Sequence, residues 1–243
     1  MPKRSRALLL LLLPSLLLAS VLFSHAKQEA GSCRTLRYKI TSKGFAVGEM
    51  KTVLSPAKQE GGRAIRYESE LSVEANLLFF KVSTRSRENA VIDERGTVSY
   101  SHHGVDNGSS VEVDAACEGG TFRFKTNRNG VAGSVEVPRS GYDFTTMDLP
   151  ETTMQRVGDT MEVRLLDLER ARVVRRKFHW LRNEVVEVGG RRLNCRVVDF
   201  TDRSNDCRRW VSKEGGVVIV RQEGKGKGGS YTIKLVSLQE NGG

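Results

Sequence analysis

The chain has 243 residues, with 39 Lys and Arg against 29 Asp and Glu and a formal net charge of +10. This length permits one substantial hydrophobic core, or at most two small ones. No C-x-x-C pair occurs among the four cysteines, which excludes a thioredoxin-like redox site and a zinc knuckle.

The N-terminus has the composition of a secretory signal peptide. A basic head precedes a long apolar run, and Ser24-His25-Ala26 ends that run with the small-x-small pattern that a signal peptidase reads. We expect residues 1–26 to be removed, which leaves residues 27–243 as a single periplasmic or otherwise exported domain. An uncleaved anchor is the alternative, but the apolar run of about 17 residues is at the lower limit for spanning a bilayer and contains Pro14.

The remaining chain alternates apolar and polar residues with a period of two. Leu36, Tyr38 and Ile40 share one face of a predicted strand, while Arg37 and Lys39 share the other. The same alternation recurs at residues 65–73, 111–115, 122–124, 193–197 and 231–235. This pattern is typical of antiparallel sheets, which bury one face and leave the other in water.

Turn signals rich in glycine separate these runs at short intervals, as at Gly61-Gly62, Asp106-Asn107-Gly108 and Gly189-Gly190. The sequence therefore predicts an all-β fold, a curved antiparallel sheet or partly closed β-barrel of more than ten strands built from hairpins. Residues 138–158 interrupt the pattern, and we expect a loop with a short helical turn there that joins two β halves.

Several short motifs carry a resemblance to a known family. They are Leu36-Arg37-Tyr38, Gly44-Phe45-Ala46-Val47-Gly48-Glu49, Ile92-Asp93-Glu94-Arg95-Gly96, Tyr142-Asp143-Phe144 with Leu149, Val188-Gly189-Gly190 and Trp210-Val211-Ser212. With these motifs, residues 34–238 resemble an exported bacterial family known as domain of unknown function 3108. The resemblance implies a periplasmic, β-rich fold, and it supplies neither an activity nor a catalytic residue.

The sequence contains no recognisable catalytic set. The nucleophile elbow Gly-x-Ser-x-Gly is absent, and the Gly/Lys segment at residues 224–229 lacks the spacing and the strand–helix setting of a phosphate loop. We therefore expect no enzymatic activity and no cofactor.

Two groups of titratable residues were candidates for metal or acid–base chemistry. His102 and His103 are adjacent in a predicted strand, so we expect His102 to point inward and His103 outward, which prevents both from binding one metal. Four acidic residues lie in the joint: Asp143, Asp148, Glu151 and Asp159. Turn formation and capping explain them better than calcium binding or acid–base catalysis.

Leu77, Leu78, Phe79 and Phe80 form an unusual run of four large apolar residues, which puts apolar side chains on both faces of a strand. One interpretation is a strand covered on both sides, or a bulge near a hairpin. The other is an apolar lip that contacts lipid, a hydrophobic ligand or a partner.

An even number of cysteines in an exported chain favours disulfides. The polar segment at residues 201–205 reads as a hairpin turn, which predicts that Cys195 lies opposite a residue from about 207 to 211 and bridges to Cys207. Cys33 and Cys117 would then form a long-range bridge. Four free thiols or a different pairing are the alternatives.

Three hypotheses for the function follow from these observations. The first is a non-enzymatic envelope protein that binds a lipid or other amphiphile in a sheet cavity. The second is an assembly module that holds an envelope protein through sheet edges or loops. The third is an enzyme with an unrecognised site. The basic charge suits anionic lipid headgroups, although it also explains simple solubility, and nucleic acid is not an expected partner outside the cytoplasm.

Overall fold

A computed structural model describes residues 32–59, 62–77, 80–202, 205–214, 216–226 and 229–241. The predicted signal peptide at residues 1–26 lies outside these ranges. Within them, no helix is long and apolar enough to cross a membrane.

The described chain consists almost entirely of β-strands. The strands are β1 Cys33–Ser42, β2 Phe45–Gln59, β3 Gly62–Leu77, β4 Phe80–Asp93, β5 Gly96–Asp106, β6 Ser109–Glu118, β7 Thr121–Arg128, β8 Val131–Pro138, β9 Phe144–Thr145, β10 Thr160–Asp167, β11 Arg172–Val188, β12 Arg191–Asp202, β13 Asn205–Ser212, β14 Val218–Gly226 and β15 Gly229–Asn241.

All of these strands belong to one 15-stranded sheet in the order β8-β7-β6-β5-β4-β3-β2-β1-β15-β14-β13-β12-β11-β10-β9. Neighbouring strands are antiparallel except for β9 and β10, which are parallel. The first strand pairs with the last, so two meanders join into one sheet along β1 and β15. The predicted antiparallel sheet of more than ten strands is confirmed, and the sheet ends at β8 and β9 instead of closing.

The joint between the two halves carries the chain from one edge of the sheet to the other. It contains two short 3-10 helices, Arg139–Gly141 and Pro150–Thr153, which confirms the expected loop with helical turns. The joint and the turn after β10 lie against β5–β7. The hydroxyls of Thr97 and Thr145 share a hydrogen bond of 2.8 Å, and Arg128 donates to the carbonyl oxygen of Glu169 at 2.9 Å.

Alternation along each strand places the core on one face of β1–β5. Leu54, Tyr67, Ala90 and Tyr100 pair side by side across β2–β5, and all four are buried. Residues offset by one position in each strand are mostly polar and are half-buried or exposed. In this half of the sheet, burial therefore alternates from residue to residue with the period of two that the sequence predicts.

Glu151 anchors the joint to the sheet through a buried ion pair. Its side chain is fully buried, and Arg209 on β13 donates to Oε1 at 2.9 Å. Arg209 also donates from Nε to Gln222 at 2.9 Å, and Gln222 in turn donates to the Tyr231 hydroxyl at 3.2 Å. The sequence placed Glu151 among turn-forming acids, and this role is wrong because the carboxylate points away from the joint into the sheet.

Two more cations bind the backbone of the same segment. Arg196 donates to the Met154 carbonyl oxygen at 2.7 Å, and Lys213 donates to the Thr152 carbonyl oxygen at 2.7 Å. The Arg196 guanidinium also lies 4.1 Å from the centre of the Trp180 ring. Side chains from β12 and from the residue after β13 therefore satisfy carbonyl groups that a short 3-10 helix leaves open.

Two of the other acids of the joint, Asp148 and Asp159, have the predicted local roles, whereas Asp143 accepts hydrogen bonds from a distant strand. Asp148 accepts hydrogen bonds from the backbone N–H and hydroxyl of Thr145, and Asp159 accepts from the backbone N–H groups of residues 155 and 156. Asp143 pairs with Arg164 on β10 at 2.7 Å.

The predicted register of the β12–β13 hairpin is wrong. Asp202 pairs with Asn205, so Cys195 lies opposite Ser212 and Cys207 lies opposite Phe200. Cys207 is five positions along β13 from Ser212, roughly 17 Å at the usual rise of a strand, which is too far for a disulfide. All four cysteines are free, so neither Cys195–Cys207 nor Cys33–Cys117 is present.

Replacing Arg209 should test the anchor of the joint. Arg209→Met leaves the Glu151 carboxylate buried without its partner, and we expect a loss of about 3–5 kcal/mol in the free energy of unfolding. Arg208→Met is the matched control, because Arg208 is the adjacent residue and its pair with Asp199 is partly exposed, worth about 1 kcal/mol or less. Urea unfolding measures both. Similar losses for the two variants would contradict the anchoring role.

Candidate functional site

An open groove of about 930 Å³ crosses β1–β5 on the face opposite to the core. Arg37, Lys51, Glu70, Arg87 and His103 pair side by side across these five strands and line the groove as one row. All five are exposed. A second row, offset by two positions, consists of Lys39, Glu49, Ser72 and Arg85.

At Gly48, which lines this groove, strands β2 and β3 approach each other closely. A Cβ atom at Gly48 would lie 2.2 Å from the carbonyl oxygen of Ser72 and 2.8 Å from Cα of Val73. Only glycine permits this distance between β2 and β3. The register of β1 and β2 also shifts between Ile40 and Thr41, and such irregularities bend a sheet.

Positive charge dominates the groove. Five cationic side chains line it against two carboxylates, Glu49 and Glu70. Glu70 is paired with Arg87 at 2.6 Å, with both side chains more than half exposed. The lining also includes Val236 of β15, which is 46% exposed, and the alkyl stems of the arginines and lysines add apolar surface beneath their charges.

A neighbouring groove of about 710 Å³ on the same face shows that this charge is local. Its charged lining balances three cations with three carboxylates: Arg66, Arg123, Lys125, Glu68, Asp114 and Glu118. Arg123 is held between Glu118 and Glu136. An anionic ligand is therefore attracted to the first groove more than to the second.

The core of the same strands contains a buried carboxyl group, Glu88 on β4. The Tyr100 hydroxyl donates to Oε1 at 2.7 Å, and the Tyr67 hydroxyl lies 3.4 Å from Oε2. Burial, together with the nearby carboxylates Glu169 and Asp167, raises the pKa of Glu88 to about 8. Glu88 is therefore largely a neutral acid at pH 7.

Glu169 and Asp167 reach this region from the end of β10 and the turn that follows it. Burial and Asp167 raise the pKa of Glu169 to about 7, and burial raises the pKa of Asp167, which also pairs with Arg170 at 3.4 Å. In the described ranges no group of three His, Cys, Asp or Glu side chains is arranged to hold a metal ion. These carboxyl groups thus form a buried acidic region and not a metal centre.

The two histidines point to opposite faces, as predicted. His102 pairs with Glu88 and Val113 on the core side, and burial lowers its pKa to about 4. His103 is exposed in the outer groove. Burial also raises the pKa of the Cys195 thiol to about 12, which does not suit a nucleophile.

The predicted apolar lip falls at the end of the β3–β4 hairpin. Leu77 and Phe80 pair through their backbones, whereas Leu78 and Phe79, and all four side chains, lie outside the described residues. Sequence reasoning missed an exposed aromatic residue, Phe45, which begins β2 and is 60% exposed. An aromatic residue beside Lys43-Gly44 at a hairpin tip is the signal that would have indicated it.

No protein-family model matches this chain, and no curated protein matches it. The chain is similar to the crystal structure of a β-barrel-like protein of domain of unknown function 1849 from Brucella abortus, with a TM-score of 0.56 and 13% identity over 87% of this chain and 98% of that chain. A putative exported protein with a YmcC-like fold from Bacteroides fragilis has a TM-score of 0.34 and 9% identity over 91% of this chain and 100% of that chain.

The first similarity shows a shared barrel-like fold, and the second is too weak to carry an argument. The β-rich fold that the resemblance implied is therefore confirmed. Membership of the family of domain of unknown function 3108 stays a prediction, because no family model matches.

The raised pKa of Glu88 predicts how stability depends on pH. Its pKa is higher in the folded chain than in the unfolded chain, so the contribution of Glu88 to stability falls as pH rises from about 4.5 through 8, by up to about 1.4 kcal/mol per pH unit. Glu88→Gln keeps an acceptor for Tyr100 and removes the ionisation. We expect the variant to gain stability over the wild type progressively across this window. The slope that remains in the variant combines the opposing contributions of Glu169 and His102.

Urea unfolding at several pH values measures this difference. Glu68→Gln, an exposed Glu to Gln change on β3, is the control and should leave the pH profile unchanged. A constant difference between Glu88→Gln and the wild type at every pH would contradict the assignment.

Proposed function

We propose that this protein is an exported, non-enzymatic β-domain that binds an anionic lipid through the groove across β1–β5. The observation that carries the proposal is the excess of cationic side chains along this groove, five against two. The neighbouring groove on the same face has no such excess.

The chemistry of the groove suits the headgroup of such a lipid. Exposed Lys and Arg side chains near a membrane surface contribute about 1 kcal/mol each to binding anionic lipids. Arg37, Lys39, Lys51 and Arg85 have no carboxylate within salt-bridge distance among the described residues, so their charges are free to meet a ligand. Open, hydrated binding of this kind weakens with salt.

The apolar part of an amphiphile has a separate place to bind. The β1–β2 hairpin that lines the groove ends at Lys43 and Phe45, an exposed cation next to an exposed aromatic ring. Such a pair suits the boundary between headgroups and acyl chains. The turn of the β3–β4 hairpin lies at the same end of the strands as the turn of the β1–β2 hairpin. Contact of Leu77–Phe80 with lipid stays a prediction.

The ligand site lies on the outer face of the sheet, and not in a cavity inside the sheet as the sequence suggested. Large side chains fill the core face of β1–β5, including Tyr38, Tyr67 and Tyr100. We therefore assign the lipid to the outer face of the sheet.

Charge reversal in the groove tests the proposal. We expect Lys39→Glu with Arg85→Glu to weaken binding to phosphatidylglycerol vesicles by about tenfold or more, because two attractive charges become repulsive. Arg66→Glu with Lys125→Glu changes the net charge equally in the second groove and should retain most of the binding. Vesicle co-sedimentation at two salt concentrations measures both variants, with phosphatidylcholine vesicles as the neutral surface. Equal losses in the two double variants would overturn the proposal.

The sheet edge favours a second candidate function, an assembly module that pairs with an extended segment of an envelope protein. β8 ends the sheet and has β7 as its single strand neighbour in the described chain. Seven of its eight residues are exposed, Val131 by 72%, and Glu136 is its one charged residue. A strand edge with so few charges is a template for β-strand addition.

Photo-crosslinking tests this second function. A crosslinker at Val131 in exported protein should yield one discrete adduct, in which mass spectrometry finds an extended partner segment, and Val135→Lys should abolish it. Val105 is the control position, because it is 50% exposed on β5 and pairs with Arg85 of β4 on one side and Ser110 of β6 on the other. Adducts at both positions, or at neither, would reject pairing at this edge.

A further inference from the structure

Arg34 is a buried arginine whose guanidinium group has no hydrogen-bond partner in the described part of the chain. It lies near the start of β1 and pairs across the ladder with Leu54, which pairs with Tyr67, so its side chain belongs to the core face. The residue is 2% exposed, and Nε, Nη1 and Nη2 all lack an acceptor. A buried, unpaired charge strongly destabilises a protein, so this group requires a counter-charge.

The charges around Arg34 do not supply one. Burial lowers the pKa of Arg34, Glu240 opposes that shift, and Arg191 adds to it. Glu240 lies opposite Arg34 in the β1–β15 ladder, but its carboxylate is 3.6 Å from Arg191 and partly exposed. Glu240 is thus the ion-pair partner of Arg191, and among the described residues Arg34 has no carboxylate of its own.

The backbone is shaped around this guanidinium. A Cβ atom at Gly216 would lie 2.3 Å from Nη1 of Arg34, and Gly216 has a φ of +99°, which L side chains rarely adopt. Glycine thus leaves the space that the guanidinium group occupies. Gly216 therefore lies directly against the guanidinium group of Arg34.

We propose that Arg34 binds an oxyanion of the phosphate class, either free phosphate or the phosphate of a lipid headgroup. A guanidinium offers parallel N–H donors that match two oxygens of such an anion, and a charge-assisted pair of this kind is stronger than a neutral hydrogen bond. The site is separate from the outer groove, because Arg37 and Lys39 project from the other face of β1. It does not depend on the proposed lipid binding there.

Thermal unfolding in phosphate tests the site. As phosphate is raised about 100-fold at constant ionic strength, the unfolding temperature of the wild type should rise with the logarithm of its concentration. Arg34→Met should show no such rise and, without phosphate, should be at least as stable as the wild type. Arg63→Met makes the same change at an exposed position of β3 that lines neither groove and should respond like the wild type.

A second variant keeps the proposal testable if Arg34→Met does not fold. Arg34→Lys retains the charge but loses the paired donors, and phosphate affinity in a phosphorus NMR titration should fall by about tenfold or more. No response to phosphate in the wild type, or equal responses in the wild type and the Arg34 variants, would overturn the site.

A third measurement identifies the source of the anion. Short-chain phosphatidic acid below its critical micelle concentration is compared with inorganic phosphate in two proteins, one with Arg34 and one with Arg34→Met. Both proteins carry Lys39→Glu and Arg85→Glu, so that the outer groove does not bind the anion. Stronger stabilisation by the lipid that requires Arg34 assigns a headgroup, and equal stabilisation that requires Arg34 assigns free phosphate. Stabilisation that persists in Arg34→Met contradicts the proposal.

Discussion

The ladder between β1 and β15 is the interaction on which the rest of this structure depends. It joins the first and last strands of the described chain over ten residue pairs and makes one sheet from two meanders. The outer groove needs this ladder, because Arg37 comes from β1 and Val236 from β15. The environment of Arg34 needs it too, because the backbone of Arg34 pairs with that of Glu240 across the same two strands. Contacts between residues so distant in sequence form slowly and are stable only when the whole sheet is in place.

Three buried charged sites show three ways in which a β-sheet core can hold a polar group. Glu151 is paired with Arg209, so opposite charges compensate each other inside the core. Glu88 has tyrosine hydroxyls and no cation at hydrogen-bond distance among the described residues, and its raised pKa keeps it largely neutral. Arg34 cannot lose its charge in this way, because a guanidinium stays protonated at any physiological pH. The proposed oxyanion is the counter-charge for this group.

Opposite faces of the same strands have different roles in this protein. On β1, Leu36 and Tyr38 are in the core, while Arg37 and Lys39 line the groove. Because side chains alternate, each strand can contribute to a packed core and to a charged surface without a separate binding domain. The exposed charges are free to vary with little effect on stability, which separates binding from folding.

The sequence by itself determined the secondary structure, the approximate number of strands and the position of the joint, because alternation and glycine turns are local signals. It also separated His102 from His103, since neighbours in a strand face opposite sides. Tertiary structure alone decided the register of β12 and β13, where a shift of a few residues moved Cys195 from Cys207 to Ser212. The tertiary structure alone decided that Glu151 pairs with Arg209 and that the buried guanidinium of Arg34 has no partner among the described residues. Both outcomes depend on which distant strands become neighbours, and the local sequence pattern carries no information about those neighbours.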